Sequence, residues 1–199
     1  MANYNAIARV SEELIETLQT AMTERDDVIS LDPSEIVLAS PDDVSSNTDI
    51  RLSLYLYKVE QSGHQHRRPI TNNDTRQSPP LSLTLHYLLT AYPSSTGANE
   101  TTNMSDQHNA LGLAMQALYD NSVLDTEALG ESFRDERTLT ISMDSDSENK
   151  ISRIWDSFRD VPLYPSVTYQ VGPVLIDSRK EEQIQRVTER DFRPTQKER

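Results

Sequence analysis

Residues Pro79 to Tyr92 read PPLSLTLHYLLTAY, and their alternation decides the fold. Leu81, Leu83, Leu85, Tyr87 and Leu89 put an apolar side chain at every second position, while Ser82, Thr84 and His86 point the other way. A strand turns successive side chains to opposite faces, so this is the period of a half-buried strand. Pro79-Pro80 stops any preceding helix and delivers the chain in extended form. One face of the strand enters a core. The polar face is left for water or for another subunit.

Working outward, Ile50, Leu52, Leu54 and Leu56 alternate with Arg51, Ser53, Tyr55 and Tyr57, which predicts a second strand with an apolar core face and an aromatic outer face. Glu35 to Ala39 and the alternation of Leu139, Ile141 and Met143 predict two more. Val167, Tyr169 and Val171, then Val174 and Ile176, form one or two strands interrupted at Gly172-Pro173, where a bulge or an edge position is required. Three helical stripes accompany them. Ile7, Val10, Leu14, Ile15, Leu18 and Met22 recur at intervals of three and four behind a cap at Asn3 or Asn5. Leu111, Ala114, Met115, Leu118 and Tyr119 make the second, with Gly112 and Ala114 allowing close packing. Ile151, Ile154, Trp155 and Phe158 make the third, behind the acidic group Asp144 to Glu148, whose charge complements a helix N-terminus. Gln61 to Ser78, and the segment between Tyr92 and Asp106, have the composition of polar connections. The expected fold is α/β (α+β): a single mixed or mostly antiparallel sheet with about three helices packed on it. Residues 1–178 are expected to form this domain and 179–199 a charged tail or arm, in which only Ile184, Val187 and Phe192 are strongly apolar.

The 199 residues suit one domain with extensions. A formal charge of -13, from 32 acidic and 19 basic residues, opposes the electropositive surface that nucleic acid requires. Only Lys58, Lys150, Lys180 and Lys197 are lysines, and an acidic, lysine-poor chain suits the high-salt cytoplasm of a halophile. Without cysteine there is no disulfide and no thiolate chemistry. No run of about 18 apolar residues occurs and the N-terminus has no export pattern, so no membrane partner is expected and the chain should be made and folded in the cytoplasm.

Motifs that carry chemistry are sparse. The five glycines are isolated, so there is no phosphate-cradling loop, and neither a Gly-x-Ser-x-Gly elbow nor His-Glu-x-x-His is present. His64 and His66, with Asp74, form the one arrangement from which a metal-dependent hydrolase could be built, but they lack a third spaced ligand. Asp144, Asp146 and Glu148 resemble the start of a calcium loop, yet Asn149 and Trp155 occupy positions where glycine and a bidentate acid are needed. Helix capping explains them better. His86 reads as a hydrogen-bonded structural histidine. No catalytic residue, cofactor or metal is expected.

Contact surfaces are more visible. Tyr55 and Tyr57 stand on the outer face of their strand, and His64, His66, Arg67, Arg68 and Arg76 form a basic patch in an acidic chain, suited to an acidic partner surface. Arg186, Arg190 and Phe192 lie in the mixed-charge tail, which could serve as a docking arm.

Four segments, RLSLYLYKV (Arg51 to Val59), PPLSLTLHYLLTAY (Pro79 to Tyr92), ALGLAMQALYDNSVL (Ala110 to Leu124) and SVTYQVGPVLIDS (Ser166 to Ser178), together resemble the N-terminal domain of tail terminator, or cap, proteins. These belong to extracellular contractile injection systems, the phage-tail-like particles that include antifeeding prophages and Photorhabdus virulence cassettes. The resemblance runs from about Asn5 to Ser178. It implies a phage tail-terminator-like fold and a non-enzymatic subunit. It also implies a homo-oligomer, a hexameric ring on the distal end of the sheath and inner tube, assembled in the cytoplasm and carried on a released, extracellular particle. Another structural subunit of such a tail, a connector or tube-completion protein, is the alternative.

Overall fold

The computed structural model describes residues 4–25, 31–44, 49–62, 70–72, 75–94, 99–124, 138–144, 147–158 and 160–183. The elements in chain order are α1 (Ala6–Glu24), a 3-10 turn (Pro33–Glu35), β1 (Ile36–Leu38), α2 (Pro41–Val44), β2 (Leu52–Gln61), β3 (Ile70–Asn72), β4 (Thr75–Gln77), β5 (Leu81–Ala91), α3 (Glu100–Asp120), β6 (Val123–Leu124), β7 (Leu139–Met143), α4 (Ser147–Trp155), β8 (Ser166–Ile176) and β9 (Glu181–Gln183).

Six strands form one mixed sheet in the order β1-β2-β5-β8-β7-β6. Only β1 and β2 run parallel; every other pair is antiparallel. The strand β5, which carries Leu81 to Ala91, sits between β2 and β8 and pairs along nearly its whole length with both. Its odd-numbered residues Leu83, Leu85, Tyr87, Leu89 and Ala91 join Leu52 and Leu54 of β2, and Tyr169, Val171 and Val174 of β8, in the main core. The predicted interruption at Gly172-Pro173 is a bulge within a single strand: the register shifts opposite Thr84, so Val171 and Val174 both reach the core face. The Gly172–Pro173 peptide is cis.

Helices α1 and α3 cover that face and pack on each other. α1 buries Ala6, Val10, Ser11, Leu14, Leu18 and Met22, close to the predicted stripe. Asn5 occupies its N-cap without a side-chain cap bond; its carbonyl accepts from Arg9 N at 3.0 Å. α3 departs further from expectation. It begins at Glu100, within the predicted polar loop, because Asn99 accepts a hydrogen bond from Thr102 N at 2.9 Å and starts the helix early. Its buried residues are Gln107, Ala110, Leu113, Ala114, Ala117 and Leu118, while Tyr119 is 80% exposed. Gly112 faces open space and mediates no close packing.

Within Gln61 to Ser78, expected to be a polar connection, the described residues include two strands. β3 and β4 pair as a hairpin, and β9 adds to β4 to give a second sheet in the order β3-β4-β9. Arg76 stands opposite Glu182 in that register. The start of the charged C-terminal segment therefore pairs with the connection that follows β2.

Candidate functional site

The second face of the large sheet, expected to be bare, carries α4. Ser53, Tyr55, Leu88, Thr90, Thr168 and Ser166 share this face by register. Leu88 is fully buried there. Tyr55 meets Phe158 edge-on at 6.1 Å, and Trp155 meets Phe158 at 5.8 Å and Tyr164 at 6.2 Å. Tyr164 in turn packs on Tyr92 at 5.0 Å. The amphipathic residues after Asp144 explain this: α4 packs on β8, and Trp155 buries its ring between Phe158 and Tyr164.

Beyond the aromatic contacts the same face becomes a polar groove. A register shift between Leu56 and Lys58 leaves Tyr57 as the extra residue, so Tyr57, Lys58 and Glu60 all reach the second face. Lys58 and Glu60, with Gln61, Ser62, Thr84, His86, Lys150 and Gln170, enclose about 300 Å³. Lys58 Nζ donates to Glu60 Oε2 at 2.6 Å, and His86 Nε2 lies 3.3 Å from the same oxygen. The carboxylate is thus bonded to Lys58 and lies beside a histidine that is only 6% exposed and whose Nε2 has no hydrogen-bond partner. Lys150 pairs with the buried carboxylate of Asp144.

The electrostatics follow from burial. Burial foremost, and then Lys58, hold His86 below the ordinary imidazole value, so it is neutral at pH 7; Glu60 opposes this in part. Lys58 keeps the Glu60 carboxyl below the usual range. The Tyr57 ring lies 6.0 Å from His86, and burial, reinforced by Asp144, pushes its phenol up. Among the described residues, no three of His, Asp and Glu come together as a metal-binding set.

Of the residues singled out from sequence, Tyr55 and Tyr57 are both half-buried on this face, Tyr55 against Phe158 and Tyr57 beside His86. Arg76 is placed by its backbone on β4. His64, His66, Arg67, Arg68, Arg186, Arg190 and Phe192 lie outside the described residues. Sequence reasoning passed over Lys58, Glu60, Lys150 and Gln170. Two signals pointed to them: Lys58 and Lys150 are half of the chain's lysines, and Leu88 beside Leu89 breaks the alternation of β5, which happens where a second face is covered.

Comparison with known proteins agrees with this architecture. The chain matches the Pvc16 N-terminal domain over residues 9–190. Among solved structures, it resembles the sheath/tube terminator of the PVC extracellular contractile injection system in its extended state, with 15% identity and a TM-score of 0.60. That match covers 96% of this chain and 64% of the terminator. It also resembles the tube-terminating cap of the anti-feeding prophage, with 16% identity and a TM-score of 0.57, over 93% of this chain and 60% of the cap. At these identities the likeness is one of fold, and the chain spans less than two thirds of either protein. No curated protein matches it.

Proposed function

The chain belongs to the Pvc16 N-terminal domain family, and from that membership we propose that it is a structural subunit of a contractile injection system, closing the distal end of the tube and sheath and so ending tail assembly. The observation that carries this reading is the extent of the shared domain: family and fold agree over almost the whole chain, and both similar structures are terminators by description.

The reading is non-enzymatic, because a terminator acts through shape. It needs a rigid body and surfaces that meet copies of itself and the end of a cylinder. A sheet covered by α1 and α3 on one face and by α4 on part of the other is such a body. Its lateral borders are short, β1 with three residues and β6 with two, a form that limits uncontrolled strand pairing. We read the assembly as a homohexameric ring with heterologous contacts, in which one surface meets a different surface of the neighbour. Residues 179–199 serve as an arm toward the sheath, a role supported by the ability of their first part to pair as a strand, β9 on β4. The basic residues between β2 and β5, with Tyr55 and Tyr57, contribute to partner contacts. The subunit assembles in the cytoplasm and leaves as part of the particle.

Electron microscopy of particles from producing cells lacking this chain tests the reading. Tubes or sheaths of uncontrolled length, restored to uniform length by supplying the chain, are expected. Particles of normal, uniform length without it would overturn the assignment.

A further inference from the structure

The three middle strands of the large sheet continue beyond it. β4 runs into β5 through Ser78-Pro79-Pro80 and β8 runs on into β9, so the ladder that pairs Leu81 with Ile176 resumes as Gln77 with Glu181. Between these pairs Ser78 N donates to the Lys180 carbonyl at 3.1 Å. β3 lies on the other side of β4, in line with β2. Val59 and Leu81 mark where helix cover ends: by register both stand on the face packed by α1 and α3, yet they are 44% and 43% exposed. The strands of the extension have three residues each, and Ile70 is the only strongly apolar one among them. Strands this short and polar are not held by apolar burial.

Backbone hydrogen bonds are what the extension has to offer, and ladder alternation shows which groups are open. The Ser78–Lys180 bond sets the phase. On β4, Ser78 and Arg76 turn N–H and C=O toward β9, while Gln77 and Thr75 turn theirs toward Ile70 and Asn72 of β3. Thr71 therefore has both groups on the outer edge of β3, and Glu181 and Gln183 have theirs on the outer edge of β9. Among the described residues no strand lies beyond either edge. The large sheet treats its borders differently: β6 has two residues, and on β1 the Gln19 amide donates to the Ile36 carbonyl at 3.3 Å.

β3 and β9 are both antiparallel to β4 and so run the same way. Brought side by side from two copies, they match: Thr71 N–H meets the Glu181 carbonyl and Gln183 N–H meets the Thr71 carbonyl, the repeating step of a parallel ladder. A partner that carries both edges answers both, and a second copy of this chain is that partner. We propose that β9 of one copy adds to β3 of the next, joining the extensions into a continuous belt around the ring. This contact rests on the ring reading and names the edges that meet in it. Each copy gives one edge and receives at the other, a heterologous contact, and closure leaves no edge open.

The chain has no cysteine, so an introduced pair reports the contact without background. Within a copy Thr71 and Glu182 both stand opposite Arg76, about 9–10 Å apart and beyond disulfide reach, whereas the joint sets them side by side. The full chain with Thr71→Cys and Glu182→Cys is expected, on oxidation, to give covalent multimers up to one largest species on non-reducing gels, and each single change none. Thr71→Pro removes an outward N–H and spares the bonds to β4, so it should raise the concentration needed for assembly about tenfold, read by light scattering coupled to size exclusion, with circular dichroism and melting as in wild type. If Thr71→Pro does not fold, Gln183→Pro, whose N–H is also outward, takes its place. Wild type that assembles while the cysteine pair forms no multimers, or while the proline change has no effect, would overturn the contact and leave the ring reading standing. Proline variants that assemble normally and lose only sheath binding would assign the edge to the sheath and overturn it too. A wild-type chain that stays monomeric at every concentration would overturn the ring reading with it.

Discussion

The hydroxyls of Ser11 and Tyr87 lie 2.8 Å apart although 76 residues separate them in sequence, joining the first helix to the central strand inside the core. Ser11 Oγ donates to the carbonyl of Ile7 at 3.1 Å, so it accepts from Tyr87. The two sites should therefore respond unequally. Ser11→Ala strands a buried phenol and is expected to cost about 1–3 kcal/mol, whereas Tyr87→Phe leaves Ser11 with its carbonyl and should cost about 1 kcal/mol or less. Urea unfolding of both single variants and the double variant checks this. The prediction fails if Tyr87→Phe is the more damaging change.

Alkaline pH should unfold the protein through two buried phenols. Tyr87 and Tyr92 are each pushed up to about 12, chiefly by burial, with the hydrogen bonds to Ser11 and Ser53 working against the shift. In the unfolded chain both titrate near their ordinary 10. The stability they contribute is complete below pH 10 and is lost as pH rises through about 12. Unfolding free energy measured across this window should fall by about 2–3 kcal/mol per tyrosine, and Tyr87→Phe should flatten the slope.

Acidification acts on His86 in the opposite sense. Its imidazole is held below the ordinary 6.5 by burial and by Lys58, with Lys150 adding to the effect and Glu60 opposing it. The unfolded chain then binds the proton first, so this group weakens the fold as pH falls below 6.5. Compared with His86→Gln at matched pH, wild type should lose stability faster between pH 7 and 5. Parallel pH profiles for the two proteins would contradict the assignment.

The glycines of α3 and β8 should respond with opposite signs. A methyl group at Gly112 meets nothing within 4 Å, so Gly112→Ala should stabilise by about 0.5–1 kcal/mol through helix propensity. At Gly172 the new carbon would stand 3.2 Å from the Leu83 carbonyl oxygen and 3.5 Å from Thr84 Cα, both backbone atoms of β5. Gly172→Ala is expected to destabilise by about 1 kcal/mol. Melting temperatures should move in opposite directions, by about 2–4 °C per kcal/mol.

The comparison of sequence with structure shows where local information sufficed. Alternation in β2 and β5 identified Leu52, Leu54, Leu85 and Tyr87 as core residues, because a pleated strand leaves no choice of face once one side is apolar. Gly172-Pro173 marked the bulge of β8 for a similar reason: proline cannot donate to a ladder, so pairing must shift there. The stripe of α1 was equally plain. Tyr119 was misassigned because α3 buries small residues, and a face made of Ala110, Ala114 and Ala117 gives a weak apolar signal.

What sequence alone determined is which residues lie on which side of each element, since periods of two and of about 3.6 are properties of the backbone itself. The tertiary structure decided what covers those sides. Tyr55 meets Phe158, and Lys58 comes to share a groove with Lys150, because α4 folds back on the second face and a bulge at Tyr57 redirects the residues after it. Neither event leaves a periodic trace, for contacts between residues about ninety to one hundred positions apart depend on strand order and register, and these emerge only when all the strands pair at once.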